Sequence, residues 1–291
     1  MTEELEFYAS PGVMTDLAEV GQAMGSLPAD PSELALVVQG LILHAFWAEA
    51  YGVDLPPERL GELQTRSAAA MVRRILELDA RPLTESRAPD HRFVGNCRHF
   101  TTLAVALLRR IGIPSRARCG FANYFELGKW VDHWVVEHWN GERWTVLDAQ
   151  IDPFQREAIG LGEDPVDLPP GRFLPAAEAW LRCQAGSEDP DRFGILDMWG
   201  TWFIEGNIAR DLAALNKVEM LPWDGWGVLA GDGTSLVGDT DVESVARLTM
   251  SNDHLAVRRR YETDDGLRVP RRITSYSSPD GPVEVEVPEI G

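Results

Sequence analysis

With 291 residues, 44% of them hydrophobic and 25% charged, the chain can bury one large core or two modest ones and has the composition of a folded protein. Its 27 basic residues against 46 acidic ones leave a net charge of −19, which disfavours nucleic acid and anionic membrane as partners; solubility is the plain reading of it, and such a field would also draw cationic amines. Three cysteines, Cys97, Cys119 and Cys183, do not suit a disulfide framework, and neither a signal peptide nor an apolar run of membrane-spanning length is legible, so a cytoplasmic protein is expected.

Residues 1–85 read as a helical scaffold, with helices expected over 15–24, 32–51 and 58–78 between Pro28, Pro31, Pro56 and Pro57. Ser32 is the expected cap of the second. Leu36, Val37, Leu41, Leu43 and Phe46 leave that helix apolar nearly all round, so His44 within it reads as a core histidine. The third carries Met71, Val72 and Ile75 on one side and Arg66, Arg73 and Arg74 on the other.

A loop over 81–95 then leads to the strongest helix of the chain. Phe100, Leu103, Ala104, Leu107, Leu108 and Ile111 recur at three and four, and the pattern stops at Gly112 with Pro114 beyond. Asn96 is a good N-cap. It places Cys97 in the first turn, where unpaired N–H groups and the positive end of a helix dipole favour a thiolate, the nucleophilic form of cysteine. Arg98 and His99 follow in the same turn, where positive charge opposes the dipole; a functional role and a place on the helix surface near the mouth of a site both fit. Residues 115–122 alternate as a strand that buries Ala117, Cys119 and Phe121.

The next segment reads as a hairpin. Residues 131–139 and 142–148 are rich in valine and tryptophan and flank Asn140-Gly141, a strong signal for a two-residue type I′ turn. Such a turn sets Trp139 opposite Glu142 and His133 opposite Asp148, with Cβ atoms roughly 4.5 to 5.5 Å apart. A nucleophile, a base and a group to orient the base therefore follow in the order Cys97, His133, Asp148. Cys97, His99, Cys119, His133 and His138 lack the paired spacing of zinc ligands, and no phosphate-binding or dinucleotide motif occurs, so no metal and no cofactor are expected.

Residues 86–155 are thus the expected catalytic core, and 156–291 a loop and helical, tryptophan-rich extension; the three stretches are expected to pack together. The extension offers a long loop over 151–171, helices over 176–184, 202–217 and 242–261, and a lone edge strand over 283–287. Trp130, Trp134, Gln150 and Trp202, with His91 in the loop before Cys97, are candidate substrate-binding residues. A polar run including Glu205, Asn207, Arg210, Asp211 and Glu219 is a further candidate for substrate recognition.

Cys97, the helix ending in Gly112-Ile113-Pro114, the triplet Asp132-His133-Trp134 and the run Trp144-Thr145-Val146-Leu147-Asp148 together resemble the core of the transglutaminase-like superfamily over roughly residues 90–152. The family pattern falls on Gly95 and Cys97, on Gly112-Ile113-Pro114, on His133, and on Trp144 with Asp148. Where the family often has Asp-Pro, Asp148 is followed by Ala149. The resemblance implies an α+β, papain-like fold in which a nucleophile-bearing helix packs on a small antiparallel sheet, here with helical extensions on both sides. It also implies that Cys97 is the nucleophile, His133 the general base and acid, and Asp148 the residue that orients His133. His91 stands six residues before Cys97, the interval at which papain-like enzymes carry an oxyanion-stabilising glutamine. The implied activity is acyl transfer. An amide or thioester of a small molecule or short peptide would acylate Cys97, and an amine, cationic amines included, or water would take the acyl group. An enzyme that only hydrolyses, and a catalytically idle module used for binding, are the alternatives.

Overall fold

The computed structural model describes residues 1–21, 24–229, 240–277 and 281–287. The chain opens with helices α1 (Glu3–Ala9) and α2 (Pro31–Leu41), the first capped by Thr2. Asp30, not Ser32, caps α2: its carboxylate accepts from the N–H groups of Ser32 and Glu33, and Pro31 fills a first-turn position where no N–H is needed. The helix expected to continue to 51 stops at Leu41. Its next residues form strand β1 (Ile42–His44), which pairs in parallel with β2 (Phe93–Gly95), His44 opposite Gly95. An apolar run of this length fits a buried strand as well as a buried helix, and here the strand partner decides. Over 15–24 the described residues form only a short 3₁₀ turn, Ala18–Val20. Over 58–78 a 3₁₀ segment, Pro57–Gln64, precedes helix α3 (Ala68–Leu78), which Ser67 caps anew.

Then come α4 (Cys97–Arg110), β3 (Ser115–Ala122), β4 (Trp130–Trp139), β5 (Trp144–Leu147), α5 (Pro153–Ala158), β6 (Phe173–Pro175), α6 (Ala176–Gln184), β7 (Phe193–Ile195), β8 (Met198–Trp199), α7 (Thr201–Leu215), β9 (Asp224–Gly225), α8 (Val242–Thr249), α9 (His254–Thr263), β10 (Arg272–Ser275) and β11 (Val283–Glu286). The protein is therefore a mixed helix-and-sheet chain. No helix among the described residues is long and apolar enough to cross a membrane.

Two compact units make up the chain. The first comprises 1–117 and 135–169, the second 118–134 and 170–291, and strands β3 and β4 each pass through a boundary. In the first unit α4 is the central element, with every residue but Arg110 buried against neighbours that include α1, α2 and α3. Its apolar residues at three and four form one face, and Thr101, Thr102, Val105 and Ala106 off that face are buried as well.

The hairpin β4–β5 corrects the expected register. Trp139 pairs with Trp144, Glu137 with Val146, and Val136 with Leu147, an offset of two residues. The reason is local. Asn140 does not sit in a type I′ turn: its side-chain oxygen accepts from the N–H groups of Glu142 and Arg143 at 3.0 and 2.9 Å, and its own N–H donates to the Arg143 carbonyl at 3.1 Å. An asparagine side chain competing with the backbone in this way makes a four-residue connection. The offset also brings Trp139 and Trp144 edge to face at 5.8 Å. Arg116 lies over the Trp144 ring at 4.2 Å, and its guanidinium pairs with Glu137 of β4 and Glu4 of α1. Tyr8 of α1 meets Trp144 edge-on at 5.6 Å.

In the second unit α7 is buried from Phe203 to Leu215 apart from Glu205, and has α6, α8 and α9 as neighbours. β3 is antiparallel to β6, whereas β4 is parallel to β7, so the sheet β6-β3-β4-β7-β8, with β5 on β4, is mixed rather than antiparallel throughout. Gly120 is required there: a Cβ on it would meet the Leu174 carbonyl oxygen at 2.1 Å. The helix expected over 242–261 is two helices, because Asp253 caps a new start. The expected edge strand at 283 is not alone; β11 closes a three-stranded sheet of order β11-β10-β9.

Candidate active site

Cys97 is the first residue of α4, as its sequence position requires. Asn96 caps the helix, its Oδ1 accepting from His99 N, while Asn96 N–H donates to His99 Nδ1 over 3.1 Å. This reciprocal arrangement is a capping box with a histidine in the place usually taken by Glu or Gln. Of the two readings of Arg98 and His99, the helix-surface one does not hold, for both are buried. Burial, reinforced by the charge of Arg98, holds the His99 imidazole well below the ordinary histidine range. A neutral His99 adds no positive charge to the helix end that already carries one. Cys97 itself is 8% exposed.

The strand before Cys97 is pinned from the scaffold. Glu62, buried, accepts the Val94 N–H at 2.7 Å and pairs with Arg59 and Arg74. Arg59 donates on to the Asp90 and Arg92 carbonyls at 3.1 and 2.5 Å. Gly95 allows the close approach: a Cβ there would meet His99 Cβ and Ile42 Cγ2, each at 2.9 Å. Sequence reading missed Glu62 and Arg59, which carry no motif. His91 ends a 3₁₀ turn, Pro89–His91, and is exposed.

Asp148 follows β5 in the same unit and is buried. Its Oδ1 accepts from Gln150 N–H at 3.0 Å, and its N–H donates to the Pro165 carbonyl at 2.7 Å. The register opposite Asp148 falls on Val135, two residues along β4 from His133, so the hairpin geometry read from a type I′ turn does not hold. Gln150 is buried beside Asp148. Its Nε2 donates to Gln155 Oε1 at 3.1 Å, Gln155 Nε2 donates to the Tyr51 hydroxyl at 3.4 Å, and that hydroxyl donates to Asp152 Oδ2 at 2.6 Å. Burial first, and Asp152 second, push the Tyr51 phenol well above its ordinary range, so it stays a donor. The loop expected over 151–171 thus contains α5, capped by Asp152, and carries a network that is buried at Gln150 and Gln155 and half-buried at Tyr51 and Asp152.

His133, in the second unit, is buried on β4. Phe125 and Tyr124 meet its ring edge-to-face at 4.8 and 6.1 Å, and Arg172 lies over Tyr124 at 5.8 Å. Trp130 stacks on Phe193 at 5.7 Å, Trp134 is buried, and Trp202 is half-buried against Phe203. These three indoles occupy packing positions. Of the polar run, Asn207, Arg210 and Asp211 on α7 and Glu219 beyond it are buried, whereas Glu205 is half-buried.

Residues 64–149 match the family model described as the Transglutaminase-like superfamily. The match begins earlier than the motifs alone indicate, taking in α3. Cys97, His133 and Asp148 all fall inside it. Among solved structures, a protein named only provisionally as a cysteine protease, from Cytophaga hutchinsonii, aligns with 15% identity and a TM-score of 0.32 over 52% of this chain and 43% of that one. A red sea bream transglutaminase aligns with 16% identity and a TM-score of 0.31 over 83% of this chain and 37% of that one. The chain spans less than half the length of either structure. Comparison with curated proteins finds no match.

Proposed function

We propose that the protein is a cysteine-dependent acyl-transfer enzyme in which Cys97 is the nucleophile, His133 the general base and acid, and Asp148 the group that orients His133. The observation that carries this reading is the order of the three residues within the family-matched stretch, with Cys97 opening a capped helix. His133 takes the thiol proton as sulfur bonds to the carbonyl carbon of an amide or thioester. The tetrahedral oxyanion faces the N–H groups of a helix start. Collapse expels the amine or thiol, which leaves with the proton from His133, and an acyl-Cys97 thioester remains. An amine or water then attacks this thioester, His133 takes its proton, and the Cys97 sulfur is released. No step needs a metal or cofactor. A small-molecule or short-peptide donor, a cationic amine acceptor and a cytoplasmic setting complete the proposal, the last supported by a cysteine count of only three.

Mass spectrometry of Cys97 after exposure to a library of acyl donors tests it. An acyl adduct absent from Cys97→Ala and released faster by amines is the expected result. Release only as free acid, at one rate whatever amine is supplied, would leave a hydrolase; no adduct, with no alkylation of native Cys97 by iodoacetamide, would reject the enzyme.

A further inference from the structure

Burying a carboxylate, a carboxamide and a guanidinium together is costly, and the second unit does so beside His133. Asp132, Asn207 and Arg210 are 7%, 2% and 1% exposed. Asn207 Nδ2 donates to Asp132 Oδ1 over 2.7 Å, and Arg210 Nη1 donates to Asn207 Oδ1 over 3.3 Å. On the adjacent position of α7, Asp211 accepts two bonds from Arg118, at 3.0 and 2.8 Å, and one from the Cys119 N–H at 2.8 Å. Residues three and four apart on a helix share a face. With that face α7 holds β3 through Asp211 and β4 through Asn207.

Alternation along β4 turns Asp132 toward α7 and His133 to the opposite face, where Phe125 and Tyr124 meet it. Tethering residue 132 from one side fixes the backbone from which the imidazole of residue 133 projects on the other. We propose that Asp132 and Asn207 are positioning residues for His133, the Asn207 amide locking the strand and the Asp132 carboxylate favouring the imidazolium that forms during transfer. This rests on His133 being the general base. Burial raises the Asp132 carboxyl above its ordinary range, while Asn207 and Arg210 from α7 and His133 on its own strand oppose the rise. Linkage is reciprocal, so the stabilisation His133 gives an ionised Asp132 is returned to a protonated His133.

The test is proton NMR titration of His133 in the full-length protein, its signal identified by its loss in His133→Gln. Asp132→Asn keeps the size and an acceptor oxygen but removes the charge, and Asn207→Ser keeps a hydroxyl donor on a shorter reach. His133 is expected to titrate roughly one pH unit lower in Asp132→Asn, about a tenfold change in its protonation equilibrium, and lower by less in Asn207→Ser. Asp132→Glu should restore part of the shift. A His133 titration unmoved in whichever of these variants folds overturns the assignment. Iodoacetamide labelling of wild-type Cys97 across pH separates this from the parent reading: an unreactive Cys97 ends both, whereas a reactive Cys97 with His133 unmoved ends only the positioning role.

Discussion

Cys97 and Gly95 are two residues apart, and each is tied to its position by a different kind of constraint. Cys97→Ala should abolish turnover and leave the melting temperature near that of wild type, since it removes one sulfur from the edge of a well-capped helix; persistent turnover would point to another nucleophile. Asp148→Asn should lower kcat by roughly 10² to 10⁴-fold while Cys97 stays reactive, because an amide favours the wrong imidazole tautomer. Gly95→Ala is a steric case. Two contacts at 2.9 Å, one to His99 within the capping box, force a shift of the strand or the helix start, so slowed alkylation of Cys97 together with lost stability is expected. Asp132 supplies a pH signature. Its folded-state carboxyl is raised, so the stability it contributes is fully present below the unfolded value near pH 4 and is lost as pH rises through the raised value. Urea unfolding of wild type and Asp132→Asn across pH should therefore show the variant gaining on wild type as pH increases from about 4.

Elements differ in how far they could be read from sequence. α4 was legible because its cap, its apolar spacing and its glycine stop all agree, and such agreement across levels is what specifies a helix. α6 was legible at 176–184 although no side chain caps its start. The β4–β5 hairpin was legible as a hairpin but not in register, since Asn140 can enter either a type I′ turn or a side-chain-capped loop and the Trp139–Trp144 pair selects the second. β1 was read as helix because its partner, Phe93–Gly95, lies about fifty residues away and leaves no local trace. The order Cys97, His133, Asp148 could be read; Glu62, Arg59 and Asn207 could not, since an isolated polar residue announces neither burial nor partner. Asn207, Arg210 and Asp211 read as candidates for substrate recognition, and the structure buries all three. Asp211→Ala would leave the Arg118 guanidinium buried without its carboxylate, and a loss of about 3–5 kcal/mol in urea unfolding is expected, against within ~0.5 kcal/mol for removing the exposed Arg143–Asp167 pair.

At the scale of the molecule, 46 acidic residues against 27 basic ones give a field that concentrates protonated amines near the surface. With a Debye length of ~10 Å at 0.1 M salt, release of acyl-Cys97 by a cationic amine should fall as salt is added, while release by a neutral amine of equal basicity should not. Equal salt dependence for the two would show that the charge plays no part in choosing the acceptor. The first unit also holds its own amino-terminal helix in a fitted seat: Glu4 on Arg116, and Tyr8 against the Trp144 indole of the strand that leads to Asp148. α1 is in this sense a detachable peptide ligand that happens to be covalently attached. A protein clipped after Ser10 should lose order in the Trp139–Trp144 hairpin, seen as a change in tryptophan fluorescence, and a synthetic peptide of residues 1–10 supplied in excess should rebind and restore it.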